Sequence, residues 1–175
     1  MKHTKDIIQV AISASFITIC SWIAIPTTIS FTLQTLAITL ILSLIGAKKG
    51  TLAIVLYLFL GAIGIPVFSG FKGGLGALTG PTGGYLFGFL LWGLLQIVLE
   101  KISSKTVITI ICHFFGLILC YTLGTIWFSI TTSSNIITSL SLCVAPFVVF
   151  DLIKIILGVL TASKIKAIIN EKNIS

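Results

Sequence analysis

A chain of 175 residues that is 57% hydrophobic and 9% charged, with a mean hydropathy of +1.20, has too few polar side chains to clothe a soluble surface; ordinary soluble domains are about one-quarter charged. The composition indicates one integral membrane domain over residues 1–175, with no room for a further soluble one. The net charge of +7 comes without a basic patch interleaved with aromatics, so it gives no nucleic-acid signature.

A membrane-crossing helix needs ~20 apolar residues. The first candidate is Ile7–Pro26. No A-x-A-like cleavage site followed by a polar mature region succeeds it, so it is read as a helix and not as a signal peptide. Trp22 falls near its end, as an aromatic belt residue would. The second and third candidates, Phe31–Ala47 and Thr51–Pro66, are short, and are read as tilted, partly re-entrant or only just spanning. Gln34 is the one amide in the first half of the second segment. It is either a ligand contact or a helix–helix hydrogen bond.

Between the third and fourth segments lies GGLGALTGPTGGYLFGF, Gly73–Phe89, with seven glycines. The phosphate-loop pattern G-x-x-x-x-G-K-[ST] is absent, and Gly74-Leu-Gly76-Ala-Leu-Thr-Gly80 misses the dinucleotide fingerprint by one residue. A plain linker would be polar, whereas this stretch is apolar and glycine-dense. It is read as a packed lid whose backbone can approach a neighbour or ligand closely. Gly80-Pro81 sets an extended turn before the fourth segment, Thr82–Leu99. Gly83, Gly84 and Gly88 then flatten one side of that helix.

The fifth segment, Thr106–Ile130, carries His113 and ends near Trp127, a second belt candidate; Trp92, in the middle of the fourth, is read as packing. The four cysteines, Cys20, Cys112, Cys120 and Cys143, all fall in apolar runs without CxxC spacing and are read as small core residues. No metal or cofactor set is expected.

The sixth segment, Ser139–Ala162, contains PFVVFDLIKIIL, with Asp151 and Lys154 on one helix face. Each charge inside a bilayer costs at least roughly 2.5–3.5 kcal/mol on insertion scales. As one continuous helix starting at Ser139, the segment would put Asp151 about 18 Å deep at 1.5 Å per residue. Two readings stand: a mutually neutralising structural pair, or a pair lining a polar cavity. A carboxylate accepts from ligand N–H groups and an ammonium donates to a ligand acid, so the second reading suits a small molecule with N–H donors and a carboxylate.

All eleven basic residues are lysines. Lys2, Lys5, Lys48, Lys49, Lys101, Lys105, Lys164, Lys166 and Lys172 share one side of a six-helix arrangement. The positive-inside rule then puts both termini in the cytoplasm and the glycine segment outside. The lysines also suit contact with anionic membrane lipid.

GAIGIPVFSGFKGGLGALTGPTGGYLFGF, FTLQTLAITL and PFVVFDLIKIIL together resemble the BioY family, the biotin-binding S components of energy-coupling factor (ECF) transporters. The matching segments follow the family's order over nearly the whole chain. The resemblance implies an all-α integral membrane protein with six transmembrane helices, an ECF S-component-like bundle in the cell membrane. It implies capture of biotin from outside and delivery by toppling on a transmembrane T protein with two ATP-binding-cassette ATPases. Asp151 and Lys154 become the expected substrate contacts, with Asp151 on the ureido N–H groups and Lys154 on the carboxylate or on Asp151 itself. Gly73, Gly74, Gly76, Tyr85 and Gln34 are the further candidates. Ala11 and Ser15 in VAISASF would be the small residues packing on the T protein, where the family usually has two alanines. Two more departures from the family are Lys72, which either meets the carboxylate or faces outer water, and Thr27-Thr28 in place of a more proline-rich loop.

The rival readings are a small intramembrane enzyme using Asp151, Lys154 and His113, which lacks a nucleophile or metal set, and a channel. A channel would need polar stripes on several helices. The expectation is a transport subunit, not an enzyme.

Overall fold

The computed structural model describes residues 2–25, 30–102 and 105–172. Its elements are α1 (Lys2–Trp22), β1 (Ala24–Ile25), β2 (Phe31–Thr32), α2 (Gln34–Ile45), α3 (Ala47–Ala62), α4 (Leu75–Thr79), α5 (Gly83–Leu99), α6 (Thr106–Thr132), α7 (Ile136–Cys143) and α8 (Val148–Lys172). The chain is mostly helical, and α6 is a single helix long and apolar enough to cross a membrane, as the bent pair α7–α8 would be if it forms one span.

The expected helices are present with shifted ends. α3 begins at Ala47 and not at Thr51, because Gly46 takes a positive φ of 87° and turns the chain sharply between α2 and α3. Beside the helices there is one short antiparallel pair, β1 with β2, in which Ala24 faces Thr32. The altered Thr27-Thr28 loop lies outside the described residues.

The sixth segment is not one helix. It breaks between α7 and α8 with a bend of 50°. Pro146 lies in the break; a proline has no N–H to donate and clashes with the carbonyl four residues back. Asp151 therefore sits in the first turn of α8 instead of mid-helix, and the depth reckoned along one continuous axis does not apply.

The core is held by glycine contacts. A Cβ on Gly88 of α5 would lie 2.9 Å from Cys120 Cα on α6, and one on Gly84 would run into Trp127. The reciprocal glycines, Gly116 and Gly124, receive Trp92 and Tyr85. The flattened face of α5 thus serves a neighbouring helix. Trp92 is wholly buried and donates its Nε1–H to His113 Nδ1 at 3.1 Å.

Two ties fix which helix ends share a side. Lys49 at the start of α3 pairs with Asp6 at the start of α1 at 2.5 Å. Glu100, just past α5, accepts from the first amide of α3, Ala47 N–H, at 2.6 Å. The starts of α1 and α3 and the end of α5 are thereby gathered together, and the starts of α2, α5 and α8 lie at the other side.

Candidate functional site

At that other side is a cavity of about 880 Å³, the open mouth included. Its closed end is built by the first residues of α2 and α8 and the middle of α6. Asp151 and Lys154 are both buried there. Lys154 Nζ donates to Asp151 Oδ1 at 2.8 Å and to the backbone carbonyl of Thr32 at 2.7 Å. It also lies 3.7 Å from the centre of the Phe31 ring, a cation–π position. Tyr121 on α6 donates its hydroxyl to Asp151 Oδ2 at 2.5 Å. A buried charge pair is tolerated when it is hydrogen-bonded as well as paired, and here each oxygen of the carboxylate receives one donor.

The local chain explains the arrangement. The short β2 strand turns Thr32 O toward α8, and the break before α8 frees Asp151 and Lys154 to project from the helix start. Phe31 stacks on Phe147 at 5.9 Å and meets Phe150 edge-on at 5.4 Å, which holds its ring under the ammonium.

Gln34 lines the same cavity and also makes the helix–helix bond, donating Nε2–H to Tyr57 OH on α3 at 2.7 Å. Its Oε1 accepts from Thr32 Oγ1 at 2.9 Å. Tyr85 lines the wall, with its hydroxyl 3.2 Å from Thr125 Oγ1. Cys120, Cys143, Phe89, Leu117 and Phe147 supply apolar surface. Lys72, Ser69 and Thr82 stand nearer the mouth, where Lys72 and Thr82 are exposed.

The glycine segment is placed differently from expectation. Gly73, Gly74 and Gly76 are not among the lining residues. A Cβ on Gly73 would run into the Ile65 carbonyl, Gly74 has φ 86° and donates its N–H to Gly61 O at 2.7 Å, and Gly76 lies in α4 facing open space. These glycines shape turns, and the residues that reach the cavity from this segment are Ala77, Thr82, Tyr85, Leu86 and Phe89, with Lys72 just ahead. Two tryptophans pin it: Trp22 Nε1–H donates to Pro66 O at 2.9 Å and Trp127 Nε1–H to Gly80 O at 3.0 Å.

Tyr121, Thr32 and Phe31 were not singled out by sequence. A tyrosine in an apolar helix is unremarkable, and a backbone acceptor has no sequence signature. The partners Lys154 and Thr32 are 122 residues apart.

A second cavity of about 770 Å³, its open mouth included, lies at the opposite ends of the helices, lined by Ser43, Gln96, Glu100, His113 and Lys166 among others. His113 is 2.9 Å from Ser43 Oγ through Nε2. It is thus separated from Asp151 and Lys154, and the three residues of the enzyme reading are not brought together. Among the described residues no cluster of His, Cys, Asp and Glu suits a metal. Ala11 and Ser15 lie exposed on one face of α1, with Ser15 Oγ donating to Ala11 O at 3.0 Å.

A bundle of helices around a polar-floored, apolar-walled cavity has the form of a small-molecule-binding protein. The chain belongs to the BioY family, whose model matches residues 1–171. It is 40% identical over 161 residues to a biotin transporter of Lactococcus lactis subsp. cremoris, covering 90% of this chain and 88% of that one. It is 37% identical over 163 residues to a biotin transporter of Thermotoga maritima, covering 93% and 96%. Its fold is similar to the crystal structure of the S-component for biotin from an ECF-type ABC transporter, with a TM-score of 0.86, 30% identity, and coverage of 95% of this chain and 93% of that one.

Proposed function

We propose that this chain is the biotin-capturing S component of an ECF-type transporter. The observation that carries the reading is the buried floor of Asp151, Lys154 and Tyr121 in a cavity on a fold like that of a biotin S component. The ureido ring offers N–H donors to Asp151 and a carbonyl acceptor, and the thiophane ring suits the wall of Phe89, Leu117, Cys120 and Phe147. Gln34 and Tyr85 are the further wall contacts.

The chain crosses the cell membrane six times, with both termini in the cytoplasm and the cavity mouth outside. The lysine distribution supports this: nine of the eleven lysines cluster at the helix ends away from the cavity, and Lys72 and Lys154 are the two on its side. α2, α3 and α5 are short at 12, 16 and 17 residues, and the flanking hairpin, α4 and the β pair complete the thickness. The exposed Ala11–Ser15 face of α1 docks on the transmembrane T protein, and two ABC ATPases energise the cycle. The chain contains no nucleotide motif of its own.

Titration calorimetry on the detergent-purified chain tests the reading. Saturable binding at or below micromolar biotin is expected, and absence of heat and saturation at that concentration would sink it.

A further inference from the structure

Lys154 is fully engaged. Its ammonium has Asp151 Oδ1, Thr32 O and the Phe31 ring around it, and its charge is already matched by a buried carboxylate. A ligand acid brought to this floor would face Asp151 as well as Lys154. The other cation on the cavity wall is Lys72. It is exposed at the mouth, and no ion pair among the described residues involves it.

The position of Lys72 is set by a rigid support. Phe68 and Lys72 exchange backbone hydrogen bonds at 2.9 and 3.3 Å across a tight turn, with Gly70 at φ 72° and Phe71 at φ 56°. Phe68 is buried, with its ring edge-on to Tyr57 at 5.3 Å and filling the space beside Gly61. Just before the turn, Ser21 Oγ donates to Val67 O, and Trp22 stacks on Phe71 at 5.0 Å. The turn is therefore clamped to α1 and α3, and it presents the Lys72 side chain to the cavity from a fixed base.

We infer that Lys72, and not Lys154, recognises the ligand's carboxylate, so that an acid-bearing ligand lies with its N–H-donating ring on the Asp151 floor and its acid at the mouth. The inference rests on the biotin reading above and adds the ligand's direction. It follows from where free charge is available. The floor has a neutralised pair and unmet acceptor capacity on Asp151, which suits N–H donors. The mouth has an uncompensated ammonium in a half-wet setting, which suits an anion that keeps part of its hydration.

The test compares biotin with biotinamide, which keeps the ring and loses the charge, by calorimetry on the purified full chain and its variants. The wild-type chain is expected to favour the acid by about tenfold. Lys72→Gln should lose most of that preference, with biotin weakened about tenfold and the amide changed less than about twofold. Lys72→Arg should keep the preference, and raising salt should weaken biotin more than the amide in the wild type. Unchanged acid preference in Lys72→Gln overturns the inference, as does a wild-type chain that binds both ligands equally. Binding of the amide by Lys72→Gln shows that the variant is folded and that the biotin reading stands independently. Failure of the wild-type chain to bind either ligand overturns the biotin reading and this inference together.

Discussion

Tyr121 and Lys154 share one carboxylate: Tyr121 donates to Asp151 Oδ2 at 2.5 Å and Lys154 to Oδ1 at 2.8 Å. The three side chains come from α6 and α8, so the cavity floor is also a joint between those helices.

Removing one charge of this joint leaves the other buried. Asp151→Leu strands the Lys154 ammonium, and breaking a buried pair in this way costs about 3–5 kcal/mol. A large drop in the melting temperature of the detergent-solubilised variant is expected, with loss of biotin binding. The double variant Asp151→Leu with Lys154→Met should recover much of the stability and none of the binding. A single variant as stable as the wild type would contradict a structural role for the pair.

Tyr121→Phe keeps the ring and deletes one hydrogen bond to a charged acceptor, worth about 1.5–3 kcal/mol. A smaller fall in melting temperature than for Asp151→Leu is expected. The freed Oδ2 should shift the affinity for ureido ligands measurably, in a calorimetric titration. An unchanged melting temperature and affinity would mean that the contact is idle.

The glycines divide by what a methyl group would meet. Gly88→Ala puts a Cβ 2.8 Å from Cys120 Sγ and 2.9 Å from its Cα, so α5 and α6 must part at a cost of about 1–3 kcal/mol. Gly76→Ala meets open space within α4 and should be neutral or slightly stabilising. Thermal melts of the two variants side by side check this contrast, and equal losses would count against it.

Trp22→Phe and Trp127→Phe each remove an N–H that ties down one end of the segment between Pro66 and Gly80. Faster amide exchange over residues 66–82 is expected, with faster ligand dissociation and little change in association. Exchange indistinguishable from wild type would show that the indole bonds do not hold the segment.

What could be read from the residues follows from their cost. Asp151 and Lys154 stood out because charge in an apolar run is expensive and must be used or neutralised. Gln34 stood out for the same reason, and it lines the cavity while bonding Tyr57. Tyr121 and Phe31 gave no signal, since aromatics are ordinary in such helices and their role depends on long-range placement. The break before α8 falls at Pro146, and the sequence reads as one segment through it because the apolar run continues across and conceals the change of direction. Gly73 and Gly74 were expected to meet a ligand; composition marked them as special, and only the backbone path showed that they serve turns against Ile65 and Gly61. Trp22 and Trp127 were read as belt residues, and their indole N–H groups prove to be committed to the protein itself.

The buried layer of Trp92 and His113 has a mechanical consequence. Phe89 and Leu117 line one cavity, Gln96 and His113 the other, and the Trp92 indole fills the level between them, pressed against Gly116. The molecule is a cup with a solid base and not a tube. Its contents can leave by the rim alone unless α5 and α6 separate, and their glycine-to-backbone contacts oppose that separation. Under the proposed transport role, cargo held at this floor would reach the far side of a barrier by tipping of the vessel and not by passage through its base.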